Sequence, residues 1–246
     1  MPTLSIVTAT YNAASVLPQL IESLLSQTDP DFEWVVADGG STDETLDLLA
    51  EASSSLACVV VDSRPDFGIY DALNRAVRKA TGEYYLVAGA DDIFFQDAVS
   101  NYKKAISQAG TDFVTSRIRS GRGVRGPRVL RWSWLYGPFA YVSSHAVGLA
   151  TRRTLHQVHG YYDRQLPVAA DQLFILRAIR SGATVSYHEF VAGRFESQNG
   201  ASGQDVLGCL LEGYRAQVAT GHSLLGQTLL LFLRMLKNWR RLQVRR

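Results

Sequence analysis

The sequence predicts an α/β fold with a mostly parallel central sheet flanked by helices. Two observations carry that expectation. Short β-branched runs alternate with amphipathic stretches through the first half of the chain, which implies right-handed crossovers between parallel strands. Polar clusters follow the apolar runs, at the strand ends where open α/β sheets bind ligands. Leu4 to Thr8, Glu33 to Ala37, Cys58 to Asp62, Tyr84 to Val87 and Asp112 to Ser116 read as strands. Ala14 to Ser26, Thr42 to Ala52, Ile69 to Ala80 and Asp97 to Ala109 have helical spacing. In the second half, strand-like segments at Ala146 to Ala150, Thr184 to His188 and Val191 to Phe195 surround a helix at Ala170 to Ser181. Helices at Asp205 to Thr220 and from Leu224 onward complete the chain.

A chain of 246 residues with a net charge of +2 is long enough for one large α/β domain, or one such domain with an appendage. The expected division is 1–204, with halves at 1–116 and 117–204, followed by helices at 205–246. Charge is unevenly spread. Residues 1 to 112 hold most of the acids, whereas no Asp or Glu occurs from Phe113 to Tyr162 or after Glu212. Arg117, Arg119, Arg122, Arg125, Arg128 and Arg131 fill the first gap, and Arg240, Arg241, Arg245 and Arg246 close the second. Such asymmetry suggests an anionic partner or surface. Glycines and a proline between Arg117 and Arg131 predict a hairpin or loop. Cys58 and Cys209 read as reduced core residues of a cytosolic protein. The N-terminus lacks the pattern of a signal peptide, and no apolar run reaches the ~20 residues of a membrane span.

Asp91 and Asp92 end the apolar run Tyr84 to Ala90. Adjacent carboxylates repel unless a cation neutralises them, and oxygen ligands on an open sheet edge suit Mg²⁺ or Mn²⁺. A solvated turn before a helix is the plainer alternative. In Asp38-Gly39-Gly40-Ser41-Thr42-Asp43, turn and cap chemistry accounts for the glycines and hydroxyls. It leaves Asp38 at a strand end facing the crevice, where it could accept a hydrogen bond from a nucleobase or ribose. Asp71 also reads as a first-turn helix acid, Asn74 as a solvated helical residue and Asp171 as an N-terminal cap. His156 and His159 have metal-like spacing but read as part of a surface helix. Gly121 to Gly126 fits G-x-G-x-x-G without the helix that the dinucleotide fingerprint requires.

Thr8-Ala9-Thr10-Tyr11-Asn12-Ala13, the Asp38 to Asp43 segment, Asp66-Phe67-Gly68-Ile69-Tyr70-Asp71-Ala72-Leu73-Asn74 and Gly89-Ala90-Asp91-Asp92 together resemble the inverting GT-A glycosyltransferases of family 2. The third segment is similar to the branch acting on bacterial surface polysaccharides of the colanic-acid type. The resemblance runs over residues 1 to 202 and implies a GT-A fold, with 1–116 as the nucleotide-sugar half and 117–204 as the acceptor side. It implies that Thr10, Asn12 and Asp38 contact the donor nucleotide and that Asp66, Asp71 and Asn74 flank nucleotide or sugar. Asp91 would hold ribose or sugar, Asp92 the Mg²⁺ or Mn²⁺, and Asp171 would be the catalytic base. His145 and Ser202, in Ser143-Ser144-His145 and Gly200-Ala201-Ser202, fall on the acceptor or diphosphate side. Phe67 and Asn199 depart from the family pattern, which often has a basic or polar residue and a glycine there.

The expected activity is transfer of a sugar, with inversion, from a UDP-, GDP- or dTDP-sugar to a glycan or polyprenyl-diphosphate-linked acceptor. A nucleotidyltransferase, or a non-catalytic nucleotide-sugar or lipid-binding protein, is the alternative. Trp132, Trp134 and Tyr136, interleaved with the arginines, suit sugars or a membrane interface. No nucleic-acid module accompanies them. Leu225, Leu229, Phe232, Leu236 and Trp239 fall on one face of the last helix, with Arg234, Lys237, Arg241 and Arg245 opposite. That pattern predicts a helix lying on an anionic bilayer, at the cytoplasmic face of the plasma membrane, against the alternative of a helix packed on the core.

Overall fold

The computed structural model describes residues 3–121, 123–127, 132–195 and 205–243. Ser202, Asn199 and Arg245 lie outside the described residues. The elements, in chain order, are β1 (Leu4–Thr10), α1 (Leu17–Leu25), β2 (Glu33–Asp38), α2 (Thr45–Ser55), β3 (Val59–Ser63) and α3 (Ile69–Lys79). There follow β4 (Tyr84–Gly89), β5 (Ile93–Phe94), α4 (Ala98–Ala109), β6 (Phe113–Ser120), β7 (Gly123–Arg125), α5 (Ser133–Tyr136) and β8 (Leu149–Arg152). The last are α6 (Leu155–His159), α7 (Ala170–Arg180), β9 (Val185–Arg194), α8 (Val206–Ala219), α9 (Leu224–Lys237) and α10 (Trp239–Gln243).

One sheet runs in the order β3-β2-β1-β4-β8-β6-β9-β5, with β7 paired to β6. The strands β3, β2, β1 and β4 are parallel, as the crossover spacing requires. Alternate side chains bury on opposite faces. Leu4, Ile6, Trp34, Val36 and Leu86 pack with α1, α2 and α4, and Val7, Val35, Tyr85 and Val87 pack with α3 and α7. Helices therefore cover both faces, and the chemistry is confined to the strand ends. Register sets Thr10 beside Asp38, Ala9 beside Gly89 and Asp38 beside Ser63, all at one carboxyl edge.

Several boundaries differ from the sequence reading for local reasons. Helix α1 begins at Leu17, not Ala14, with Pro18 in its first turn, where a missing N–H costs nothing. Helix α2 begins at Thr45, not Thr42, because the Thr42 N–H is used by Asn12 Oδ1 (2.9 Å) and Asp43 accepts from Thr45. The two strands expected at 184–188 and 191–195 are one strand, β9, whose pairing to β6 shifts register around Arg117. The predicted hairpin is β6–β7. Cys58 is exposed, just before the half-exposed edge strand β3, so it is not a core residue, while Cys209 is half-buried on α8. His156 is buried, which corrects its placement on a surface helix.

Helix α9 is amphipathic. Its inner face sets two polar anchors among the partly buried Leu230, Leu231 and Met235: buried Gln227 donates to the Trp134 carbonyl at 2.7 Å, and Arg234 donates to the Leu135 carbonyl. Arg234 thus anchors the helix to the α5 segment and does not join an outer basic row. The apolar face points outward, with Leu225 83%, Leu229 61% and Phe232 59% exposed. Among the described residues no helix is long and apolar enough to cross a membrane.

Candidate active site at the carboxyl edge of the sheet

The turn after β2 is held from within by Asp38. Its carboxylate is fully buried and accepts from Thr10 Oγ1 (3.0 Å), Ser41 Oγ (2.5 Å), Ser63 Oγ (2.7 Å), Gly40 N (3.0 Å) and Ser41 N (2.9 Å). Burial pushes its carboxyl pKa up, but the bonds from Ser41, Ser63 and Thr10 outweigh that and leave it below the ordinary value. The side chain expected to face the crevice is turned into the loop. Asn12, at φ 47°, accepts from Thr42 on the neighbouring turn. A Cβ on Gly39 would stand 2.7 Å from Asp66 Oδ2, so the glycine is what lets Asp66 lie over this turn. Asp66 also accepts from Gly68 N at 2.9 Å and lies 3.5 Å from the Arg75 guanidinium, which bonds the Asp38 carbonyl at 2.9 Å. Thr10, Asn12, Asp38 and Asp66 are therefore brought together at the ends of β1, β2 and β3.

Asp71 and Asn74 sit on α3 and look elsewhere. Asp71 pairs with Arg164 at 3.1 Å, and that guanidinium lies 5.8 Å from the exposed Phe67 ring. Asn74 is buried rather than solvated. Its amide exchanges two hydrogen bonds with the backbone of Tyr162, at 2.8 and 2.9 Å, and clamps that loop onto α3.

Asp91 and Asp92 follow β4 and line a crevice of about 360 Å³. Asp92 is 1% exposed and accepts from Gly89 N at 2.8 Å. A Cβ on Gly89 would lie 2.9 Å from Asp91 Oδ1 and 3.1 Å from Asp92 Oδ2, so both carboxylates close over bare backbone. Among the described residues no group of three or more His, Cys, Asp or Glu side chains could hold a metal. Two carboxylates at a pocket wall nevertheless fit Mg²⁺ or Mn²⁺, which take one or two protein oxygens and complete their shell with phosphate and water.

Asp171 and His145 line the same crevice, as do Ile69, Leu73, Phe139 and Val168. Asp171 stands in the first turn of α7, where the helix dipole favours negative charge. Its Oδ1 accepts from the Tyr70 hydroxyl at 2.6 Å, and its Oδ2 lies 3.7 Å from His145 Nδ1. Burial and the neighbouring Asp171 charge hold the Tyr70 hydroxyl protonated. Burial lowers the pKa of His145 against the opposing pull of Asp171. Glu212 on α8 accepts from Val168 N and Ala169 N, both at 2.8 Å, and so caps α7 from outside. The sequence reading missed Tyr70, Tyr85, Tyr162, Glu212 and Arg75. Glu212, the last acid before an acid-free tail, carried a signal; no spacing singled out the tyrosines.

Residues 5–163 match the model of glycosyl transferase family 2, and the chain belongs to that family. The PGL/p-HBAD biosynthesis glycosyltransferase of Mycobacterium tuberculosis is 31% identical over 82% of this chain and 79% of its own. The solved structure of Staphylococcus aureus TarS 1-349 in complex with UDP-GlcNAc has a TM-score of 0.75 at 22% identity, covering 99% of this chain and 76% of that one. The mannosyltransferase PcManGT of Pyrobaculum calidifontis, in complex with GDP-Man and Mn²⁺, gives 0.67 at 18%, covering 97% and 75%. Those likenesses confirm the GT-A fold. The relatives do not single out the colanic-acid-type branch.

Proposed function

We propose that this family 2 glycosyltransferase moves a sugar, with inversion, from a nucleotide-diphosphate donor to an acceptor hydroxyl. The observation that carries the reading is the placement of Asp171 on the same crevice as Asp91 and Asp92, on a different wall. The acceptor oxygen attacks the anomeric carbon, the bond to the diphosphate breaks, and Asp171 takes the hydroxyl proton. Tyr70, donating to Oδ1, and Glu212, capping α7, hold the carboxylate in place. Asp92, with Asp91 beside it, would hold Mg²⁺ or Mn²⁺, which when bound offsets the charge developing on the leaving diphosphate. Thr10, Asn12 and Asp66 flank the nucleotide, and Asp38 shapes the loop that carries them.

We assign the acceptor to the glycan or lipid-linked class, polyprenyl diphosphates included. Support comes from the outward apolar face of α9, from exposed Trp132 and Trp134 on the segment to which that helix is anchored, and from exposed Lys237, Arg240 and Arg241. That combination suits a peripheral helix on an anionic bilayer at the cytoplasmic face. A thermal-shift panel of UDP-, GDP- and dTDP-sugars, with and without Mn²⁺, tests the donor assignment. One nucleotide class should raise the melting temperature in a Mn²⁺-dependent way, and Asp92→Asn should remove that dependence. Absence of any shift would overturn it.

A further inference from the structure

Behind Asp171 the hydrogen bonds form a chain with a definite direction. His156 is 4% exposed and stacks on Phe174, with ring centroids 4.3 Å apart. Burial drives its pKa down to about 4, so the ring is neutral at ordinary pH. Its Nδ1 lies 3.0 Å from the Gly160 carbonyl oxygen, which can only accept, so the single ring proton sits on Nδ1. His156 Nε2 must then accept, and the Tyr85 hydroxyl donates to it at 2.7 Å. Tyr85, its proton used, accepts from the Tyr162 hydroxyl at 2.7 Å. Tyr162 in turn accepts from His145 Nε2–H at 2.8 Å. A neutral His145 is therefore left with a bare Nδ1 facing Asp171 Oδ2, 3.7 Å away. Because Tyr70 engages Oδ1, Oδ2 is the oxygen left facing His145, and both residues line the crevice.

We propose that His145 is the positioning partner that receives the proton Asp171 draws from the acceptor hydroxyl, its Nδ1 kept vacant by a chain anchored on the Gly160 carbonyl. This rests on the reading of Asp171 as the base. The acceptor O–H bond breaks as its oxygen bonds the anomeric carbon, and the nucleoside diphosphate leaves with the electron pair of the broken C–O bond. The proton passes from the hydroxyl to Asp171 Oδ2 and, as the carboxyl so protonated closes the 3.7 Å gap to donate, on to His145 Nδ1, giving an imidazolium beside a restored carboxylate. With the opposite tautomer, His145 would donate to Asp171 and weaken it as a base. The other ionisable groups around the pair are Tyr70 on α3, Asp91 and Asp92 after β4, His156 on α6, Tyr162, and Cys209 and Glu212 on α8, the last bonded to Val168 N and Ala169 N. Burial keeps the two phenols and the thiol protonated, which leaves Asp171 and His145 as the exchanging pair on that wall.

Histidine-selective ¹⁵N spectra of the whole chain read the tautomers without any turnover. The expected pattern is Nε2–H for His145 and Nδ1–H for His156, with His145 free to change in Tyr162→Phe. Nδ1–H on His145 in the unsubstituted protein would overturn the proposal. His145→Gln keeps a donor to Tyr162 but removes the proton-accepting nitrogen. It should lower kcat about tenfold, part of the ~10²- to 10⁴-fold that a positioned base contributes. Donor KM should hold, and the acidic limb of the pH–rate profile should move. A wild-type pH profile in His145→Gln, with Asp171→Asn inactive, would reject the His145 role alone. An active Asp171→Asn would reject the base assignment beneath it.

Discussion

Asp38 and Asp171 stand at one carboxyl edge of one sheet, yet their surroundings treat charge in opposite ways. Around Asp38 every partner is a donor, from its own turn or from the ends of β1 and β3, and five hydrogen bonds fix the carboxylate as a structural anion. Around Asp171 one oxygen is fixed by Tyr70, while the other faces a histidine nitrogen at 3.7 Å, too far for a hydrogen bond. A saturated carboxylate gives a loop its shape. An unsaturated one, held on a capped helix and backed by a neutral imidazole, is suited to taking a proton. The difference teaches that burial alone does not mark a reactive acid; the number of donors already spent on it does.

Asp38→Asn breaks the saturated side of that comparison and should give the larger change in stability. The amide cannot accept from five donors, and about 2 kcal/mol or more of stability should be lost, read by denaturant unfolding. The sign of the pH dependence follows from the depressed native pKa of Asp38. Its stabilisation is present above the unfolded value of about 3.9 and is lost as pH falls through the native value. The gap in melting temperature between wild type and Asp38→Asn should therefore close in acid. A gap that stays constant to low pH would mean that the carboxylate charge is not what the loop uses.

A smaller effect on folding is expected at α9, where the outward leucines touch little. Replacing Leu225, Leu229 and Phe232 by Ser should change stability by no more than about 0.5 kcal/mol per site, as exposed substitutions do. Co-sedimentation with anionic liposomes should be lost nonetheless. Unchanged sedimentation would show that the basic side chains alone, or another surface, make the attachment.

Much of the fold was legible because the parallel strands are buried on both faces, so Leu4 to Val7, broken only by Ser5, and Trp34 to Ala37 and Tyr84 to Val87 read as largely apolar runs. Their polar termini located the edge. What could not be read was direction. Whether Asp38 turns toward a ligand or into its own loop depends on Ser63, which lies one strand over, and on Thr10, which lies on the other. Asn74 looked solvated because nothing in its helix announces that the Tyr162 backbone arrives to bond it across 88 residues of sequence. The tyrosine–histidine chain was hidden for the same reason: Tyr85, His156, Tyr162 and His145 come from separate stretches of the chain, and the spacing of His156 pointed to a surface helix. Helix α9 was legible as amphipathic, but periodicity does not say which face turns inward.

The central claim, sugar transfer with Asp171 as the base, is tested most directly by measuring nucleoside diphosphate release and donor binding side by side in Asp171→Asn. Turnover should fall by about 10²- to 10⁴-fold, with the donor dissociation constant nearly unchanged. Wild-type release in that variant would contradict the account, because the remaining carboxylates of the crevice, Asp91 and Asp92, are assigned to the opposite task.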